Sequence, residues 1–130
     1  MESSLEDIMR GAHRALTGTR GAAATLCMIR DGGMEACAVG NVELRSGDLR
    51  IPLVTSPGIL GTRVAKFRTC VQRITKPGRL ILFSDGISSR VRFEELSHLE
   101  PQAFCEQILV EHRRDYDDST ILVADLELHA

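Results

Sequence analysis

The stretch Leu80-Ile-Leu-Phe-Ser-Asp-Gly-Ile87 decides how the rest of the chain is interpreted. Its first four residues form a continuous apolar run, which is typical of a central strand buried on both faces. Asp85 and Gly86 follow the run almost at once, so a carboxylate stands at the end of a buried strand, beside a glycine that lets the backbone approach a ligand closely. Asp-Gly is also common in ordinary turns, and from spacing alone a turn is the simpler interpretation.

A second acidic segment, with Asp117 and Asp118, stands immediately before another apolar stretch, which predicts a last strand over residues 120–128. Divalent cations prefer hard oxygen ligands, and carboxylates at strand ends can converge on one ion. Asp85 and this pair are therefore candidate metal ligands. The alternative is again plain turn chemistry, because Asp-Asp-Ser is a common turn sequence.

The chain around these segments predicts an α+β fold. Ser4 is a candidate N-cap of a first helix, with Asp7 three residues later. Residues 25–30 and 34–39 predict a hairpin around Asp31-Gly32-Gly33, although Ala22-Ala-Ala24 could instead continue a helix.

Further signals complete a mainly antiparallel arrangement of about five strands between two helices, followed by the last strand. Residues 42–45 predict a short strand and 49–54 pair back onto it, residues 55–61 form a loop, 67–74 alternate as a half-exposed strand, 76–79 fit a type II turn, and Pro101 begins the second helix.

Length and composition exclude several classes of protein. The 130 residues are enough for one domain, and no apolar run approaches the about 18 residues of a membrane span. A net charge of −2 and 4% aromatic residues are unlike a nucleic-acid binder. The polar, acidic start is unlike a signal peptide, so we expect a cytoplasmic protein that binds neither membranes nor nucleic acids.

Other candidate residues have simpler interpretations. Arg20, Arg63 and Lys66 are interpreted as solvated charges, with contact to a phosphoprotein as the alternative. Ser84 is not a candidate nucleophile, because no His and acid pair is placed beside it.

Four stretches in order nevertheless resemble one family, the metal-dependent protein phosphatases with the type 2C fold (PPM type). The likeness is greatest to the bacterial SpoIIE-like branch and, within it, to RsbX-like phosphatases. It spans residues 5–127. The stretches are Gly18-Thr-Arg-Gly-Ala-Ala-Ala24, Ala38-Val-Gly-Asn-Val42, Leu80-Ile-Leu-Phe-Ser-Asp-Gly-Ile87 and Asp117-Asp-Ser-Thr-Ile-Leu-Val123.

This resemblance implies a layered α/β/β/α sandwich, with residues 1–130 as a single phosphatase-like domain. It implies hydrolysis of phosphoserine or phosphothreonine with two Mn²⁺ or Mg²⁺ ions, in a stress-response or partner-switching system. By position, Asp85 and Asp117 would be metal ligands and Asp118 an auxiliary ligand, with the Gly86 amide adjacent and Thr120 capping the strand. The partner would be a phosphorylated regulatory protein.

One part of the family pattern is absent. The family carries an Asp and an Asp-Gly-x-Gly turn on a strand pair before its first helix, whereas Asp31-Gly32 lies after the helix and is not assigned as a ligand. We therefore expect an N-terminally truncated family domain, either a fragment or a naturally short form without full catalysis, that covers the C-terminal two thirds of the domain and has an incomplete metal site. A homodimer or a partner would cover the exposed sheet edge.

Two alternatives to an enzyme remain open at this point. One is a catalytically inactive pseudophosphatase that acts as a protein-binding module. The other is an unrelated α+β domain in which both acidic segments are only turns.

Overall fold

The computed structural model describes residues 4–113 and 118–128, which form an α+β fold with two α-helices and three small antiparallel sheets. Contacts within the chain divide it into a first unit, Met1–Val42 with Ile51–Thr75, and a second unit, Glu43–Arg50 with Lys76–Ala130. Neither of the helices in the described ranges has the length and apolar character needed to cross a membrane.

The elements in chain order are α1 (Leu5–Ala15), β1 (Ala24–Arg30), β2 (Gly33–Val39), β3 (Glu43–Arg45), β4 (Gly58–Ile59), β5 (Arg63–Val64), β6 (Thr69–Arg73), β7 (Gly78–Phe83), a 3₁₀ helix (Phe93–Leu96), α2 (Pro101–Glu111) and β8 (Ile121–Leu126). The sheets have the orders β1-β2-β6, β3-β7-β8 and β4-β5. The mainly antiparallel α+β prediction is confirmed, although the described strands are more numerous and shorter than predicted.

The first helix begins where the capping signal predicted. The Ser4 hydroxyl accepts a hydrogen bond from the Asp7 N–H at 3.1 Å, which satisfies one of the unpaired donors of the first turn. Leu5 and Met9 are buried against the β1-β2-β6 sheet, whereas Ile8 is 40% exposed. The buried apolar face of α1 is therefore narrow.

The β1–β2 hairpin also agrees with its prediction. Its two-residue loop has positive φ at both positions, 49° at Asp31 and 75° at Gly32, which is the type I′ geometry that Asp-Gly favours. Arg30 and Gly33 close the loop as a pair. Local turn chemistry thus sets the register of this sheet.

The segment predicted as a loop over residues 55–61 is partly regular. It contains β4, which pairs with β5 around Gly61, where φ is +91°. A Cβ on Gly61 would lie 2.5 Å from the Leu16 carbonyl oxygen, so only glycine fits there. The His13 Nδ1 atom accepts the Gly61 N–H at 2.8 Å and fixes the hairpin to α1.

In the second unit, β7 is the central strand between β3 and β8, as the apolar run predicted. Leu80, Ile81 and Phe83 are buried. The rings of Phe83 and Phe93 meet edge to face at 5.2 Å, and that of Phe104, on α2, lies 5.7 Å from Phe93. An aromatic core therefore supports the strand that carries Asp85.

Two local predictions are wrong. Residues 49–54 do not pair back onto 42–45, because β3 pairs with β7 instead and Pro52 has no N–H to donate. The predicted type II turn over 76–79 is absent, because Gly78 lies in β7 opposite Leu126 and has no positive φ. Glycine is needed at position 78 to leave room for the Leu49 side chain, since a Cβ there would lie 2.5 Å from it.

Candidate metal centre

The first half of the candidate site is the turn that follows β7. The Ile87 N–H donates to the Ser84 carbonyl at 3.1 Å, and this bond closes a turn with Asp85 and Gly86 at its centre. Asp85 is exposed, whereas Gly86 and Ile87 are buried. Gly86 and Ile87 thus anchor the turn in the protein interior, while Asp85 is exposed to solvent.

The second half is the segment that enters β8, and the main chain joins it directly to the first. The Ser84 N–H donates to the Thr120 carbonyl at 3.0 Å, and the Thr120 N–H donates to the Ser84 hydroxyl at 3.0 Å. Thr120 therefore takes part through its backbone at the strand start, where the sequence placed it.

The two halves also approach each other closely at Gly86. A Cβ there would lie 2.2 Å from the Asp118 carbonyl oxygen and 2.6 Å from the Ser119 hydroxyl. The Ser119 hydroxyl donates to the Gly86 carbonyl at 3.0 Å. The absence of a side chain at Gly86 is thus what allows the Asp85 turn and the Asp118 segment to touch.

The structure therefore brings together three of the four residues that the sequence singled out, namely Asp85, Gly86 and Asp118. Asp117 lies outside the described residues. Within residues 4–113 and 118–128, no group of three or more His, Cys, Asp or Glu side chains is placed to hold a metal ion.

The donors present are of the type that Mg²⁺ and Mn²⁺ prefer. Asp85 and Asp118 supply carboxylates, and Mg²⁺ is commonly held by one or two carboxylates while it keeps several waters and takes phosphate oxygens. The described part of the chain thus offers two carboxylates on joined segments, fewer than a closed protein cage would need.

Two serines in this contact were not predicted to matter. The sequence pattern raises Ser84 only as a nucleophile and gives Ser119 no role. Their hydroxyls bridge the two segments. Their positions in the sequence could have indicated this role, because one serine directly precedes Asp85-Gly86 and the other directly follows Asp118.

A different carboxylate of β8, Asp125, is committed to the protein. The Arg79 guanidinium donates to it through Nε at 2.7 Å and through Nη2 at 3.0 Å. These hydrogen bonds lower the pKa of Asp125 below its usual value. The Arg79 side chain is only 13% exposed and lies over the Phe104 ring, so this pair supports the sheet.

The cysteine thiols are poor nucleophiles. Burial is the main cause that raises the pKa of Cys27, Cys37, Cys70 and Cys105, so the reactive thiolate is disfavoured at each.

Two solved structures are similar to the chain across almost its whole length. One comes from work on the bacterial stressosome, described as a modular system adapted to control secondary messenger signalling. It has a TM-score of 0.80 and 28% identity, over 97% of this chain and 69% of that one. The other is the crystal structure of RsbX in complex with magnesium, with a TM-score of 0.77 and 22% identity, over 96% of this chain and 66% of that one.

The chain thus spans about two thirds of the length of each structure. No known family profile matches the sequence, and no curated protein matches it at a significant level. The likeness to the stressosome structure supports a distant relation, the likeness to RsbX shows a similar fold, and both agree with the α+β fold that the sequence predicted.

Proposed function

We propose that the chain is a phosphatase-like domain, spanning residues 1–130, of a bacterial stress-response or partner-switching regulator of the SpoIIE-like, RsbX-like branch. It acts in the cytoplasm on phosphoserine or phosphothreonine of a regulatory protein. The observation that carries the proposal is the contact of Gly86 with the Asp118 segment, because it brings two carboxylate-bearing loops together at the ends of β7 and β8.

In this proposal Asp85 and Asp117 hold Mn²⁺ or Mg²⁺ and Asp118 is an auxiliary ligand, as the family resemblance implies. When bound, such an ion neutralises phosphoryl oxygens and makes hydroxide available from water near neutral pH. A ligand set of few carboxylates leaves positions for phosphate oxygens, which suits a phosphorylated substrate.

The remaining residues of the site position the two loops. Ser84 and Ser119 hydrogen-bond across the two loops, and Gly86 supplies the space that the contact needs. These bonds hold together the two loops that carry the carboxylates. Such preorganisation lowers the free-energy cost of ordering the loops on binding.

The two similar structures support this context. One protein is part of the work on the bacterial stressosome, and the other is RsbX crystallised with magnesium. A chain of the same fold, with carboxylates at the ends of two adjacent strands, is consistent with a divalent ion and a signalling role.

The test combines metal titration with an assay of hydrolysis. Calorimetric titration with MnCl₂ is expected to show saturable binding, and a phosphoserine peptide is expected to release inorganic phosphate only with the metal. Asp85→Asn removes one carboxylate charge and is expected to lower metal affinity about tenfold or more and to abolish release. Asp31→Asn, the same change in the other Asp-Gly pair, is the matched control and is expected to retain both properties.

The outcomes separate the alternatives. Metal binding without phosphate release would reject catalysis and favour the pseudophosphatase that acts as a binding module. Absence of metal binding in the unsubstituted chain would reject the metal centre itself.

The proposal also includes a partner at a sheet edge. Within the described part of the chain, β8 pairs on one side only, with β7, and Leu122 on it is 55% exposed. A second copy or the regulatory partner would cover such an edge. Sedimentation equilibrium at micromolar concentration tests the homodimer, and a monomer throughout would contradict it.

A further inference from the structure

The first unit carries a surface that the proposed metal centre does not use. Residues 8–30 and 51–75 of this unit contain eight arginines and lysines and no aspartate or glutamate, whereas Glu6, Asp7, Asp31 and Glu35 lie elsewhere in the unit. An excess of one sign of charge attracts partners of the opposite sign and raises their rate of association. These two segments meet where Ala22 and Leu60 exchange backbone hydrogen bonds, at 3.1 and 2.9 Å.

An open groove of about 330 Å³ lies along the β4–β5 hairpin at this place. Ile59 on its wall is 48% exposed, although it is a large aliphatic side chain. An apolar groove with a cation at its wall suits a ligand that has both an apolar and an anionic part. Its lining residues are Pro57, Gly58, Ile59, Thr62, Arg63 and Ala65.

Three exposed cations lie at or beside this groove. Arg63 lines it, and Lys66 follows the lining residue Ala65. Arg20 precedes Gly21, where a Cβ would lie 2.5 Å from the Ile59 side chain, so the backbone of this arginine lies next to the same wall. None of the three forms an ion pair with another residue that the structure describes.

We propose that this β4–β5 groove docks a carboxylate-rich segment of a protein partner. One aliphatic side chain of that segment packs against Ile59, and its carboxylates contact Arg20, Arg63 and Lys66. The inference rests on the proposed function for the identity of the partner, since it specifies how the regulatory protein is recognised.

A protein segment fits this surface better than a nucleic acid does. Single-stranded nucleic acids gain much of their affinity by stacking bases on exposed aromatic rings. Phe67 is the one phenylalanine, tyrosine or tryptophan in the first unit, and it is only 7% exposed. The groove offers aliphatic surface instead.

The probe is a fluorescein-labelled dodecapeptide of aspartate and glutamate with one central leucine, measured by fluorescence anisotropy with the full chain in EDTA. We expect saturable binding that weakens as salt rises. Ile59→Ser should weaken it about tenfold, and Arg63→Gln or Lys66→Gln about threefold each, because exposed ion pairs contribute modestly. Replacing the peptide leucine by serine should have the same effect as Ile59→Ser.

Arg90→Gln, which removes an exposed arginine of the second unit, is the matched control and should leave binding unchanged. All four variants alter exposed or half-exposed side chains, and circular dichroism melting checks that each folds. Equal losses in Arg90→Gln and Arg63→Gln would overturn the proposal in favour of unspecific charge attraction. Tighter binding of a twelve-nucleotide single-stranded RNA than of the peptide would overturn it in favour of nucleic acid.

Failure of this inference is distinguishable from failure of the proposed function. Peptide binding in EDTA needs no metal, so a chain that binds the peptide but releases no phosphate contradicts only the proposed function. A chain that releases phosphate in the presence of MnCl₂ but does not bind the acidic peptide contradicts only the docking groove.

Discussion

The chain contains two Asp-Gly pairs that differ in almost every structural respect. Asp31-Gly32, in the first unit, forms the tip of the β1–β2 hairpin, with positive φ at both residues and open space around Gly32. Asp85-Gly86, in the second unit, has no positive φ, and Gly86 is buried against the Asp118 backbone.

The comparison shows that glycine serves two separate physical purposes. At position 32 it is favoured because its backbone reaches a conformation that other residues adopt at a cost. At position 86 it is required because any side chain would collide with a neighbouring segment. Only a glycine of the second kind indicates that two segments distant in sequence are in contact. For this reason only Asp85-Gly86 indicates a candidate metal site.

The largest effect should come from Gly86→Ala. The added methyl group would meet backbone 2.2 Å away, which cannot move without separating the β7 and β8 ends, so we expect a loss of about 3 kcal/mol of stability. The affinity for Mn²⁺ should fall as well. Gly32→Ala adds its methyl group in open space and should cost only about 1 kcal/mol, for its positive φ. Urea unfolding and calorimetric titration measure the two quantities.

Gly47→Ala is the control within the second unit, because a Cβ there meets nothing within 4 Å and its φ is not positive. It should change neither stability nor metal affinity measurably. If Gly32→Ala and Gly86→Ala cost the same, the distinction between a conformational and a steric glycine is wrong.

These two pairs also show how far a sequence determines structure here. The hairpin at Asp31-Gly32 was predictable because its turn chemistry is local, and β7 was predictable because four consecutive apolar residues need burial. The contact of Gly86 with Asp118 joins segments far apart in the chain, and no local pattern specifies it. The family resemblance, rather than spacing, indicates these residues.

The errors have the same origin. Residues 49–54 were expected to pair with residues 42–45, but β3 pairs with β7, which lies farther along the chain. Gly78 was expected to form a turn because Pro77 precedes it, but long-range pairing with Leu126 extends the strand through it. In each case a non-local pairing replaced a locally favoured turn or hairpin.

A smaller effect is expected at Asp125, the β8 carboxylate that Arg79 holds. Asp125→Asn should cost about 1 kcal/mol at pH 7, because it leaves a mostly buried guanidinium without its anion while Asp125 itself is 46% exposed. The pKa of Asp125 is lowered in the fold, so its contribution is present above the unfolded value of 3.8 and is lost as pH falls through the folded pKa.

The variant should therefore lose stability at neutral pH and show a flatter decline below about pH 4, as urea unfolding at several pH values would measure. Metal affinity should be unchanged, since this carboxylate is committed to Arg79. A drop in Mn²⁺ affinity as large as that of Asp85→Asn would mean that the acidic character of the second unit, rather than the end of β7, attracts the ion.

The smallest effect should come from Asp31→Asn, which replaces a carboxylate oxygen by an amide nitrogen in the other Asp-Gly pair, as Asp85→Asn does in Asp85-Gly86. Asn-Gly is at least as favourable as Asp-Gly in a type I′ turn, so stability should stay within about 0.5 kcal/mol and tend upward. Urea unfolding and Mn²⁺ titration of the two variants, side by side, form the test. If chemical identity alone mattered, both would lose metal affinity. Asp31 stands at a hairpin tip, whereas Asp85 stands beside the Asp118 segment, so only Asp85→Asn should lose affinity for Mn²⁺. An equal loss in both variants would remove the reason for placing the metal centre at the ends of β7 and β8.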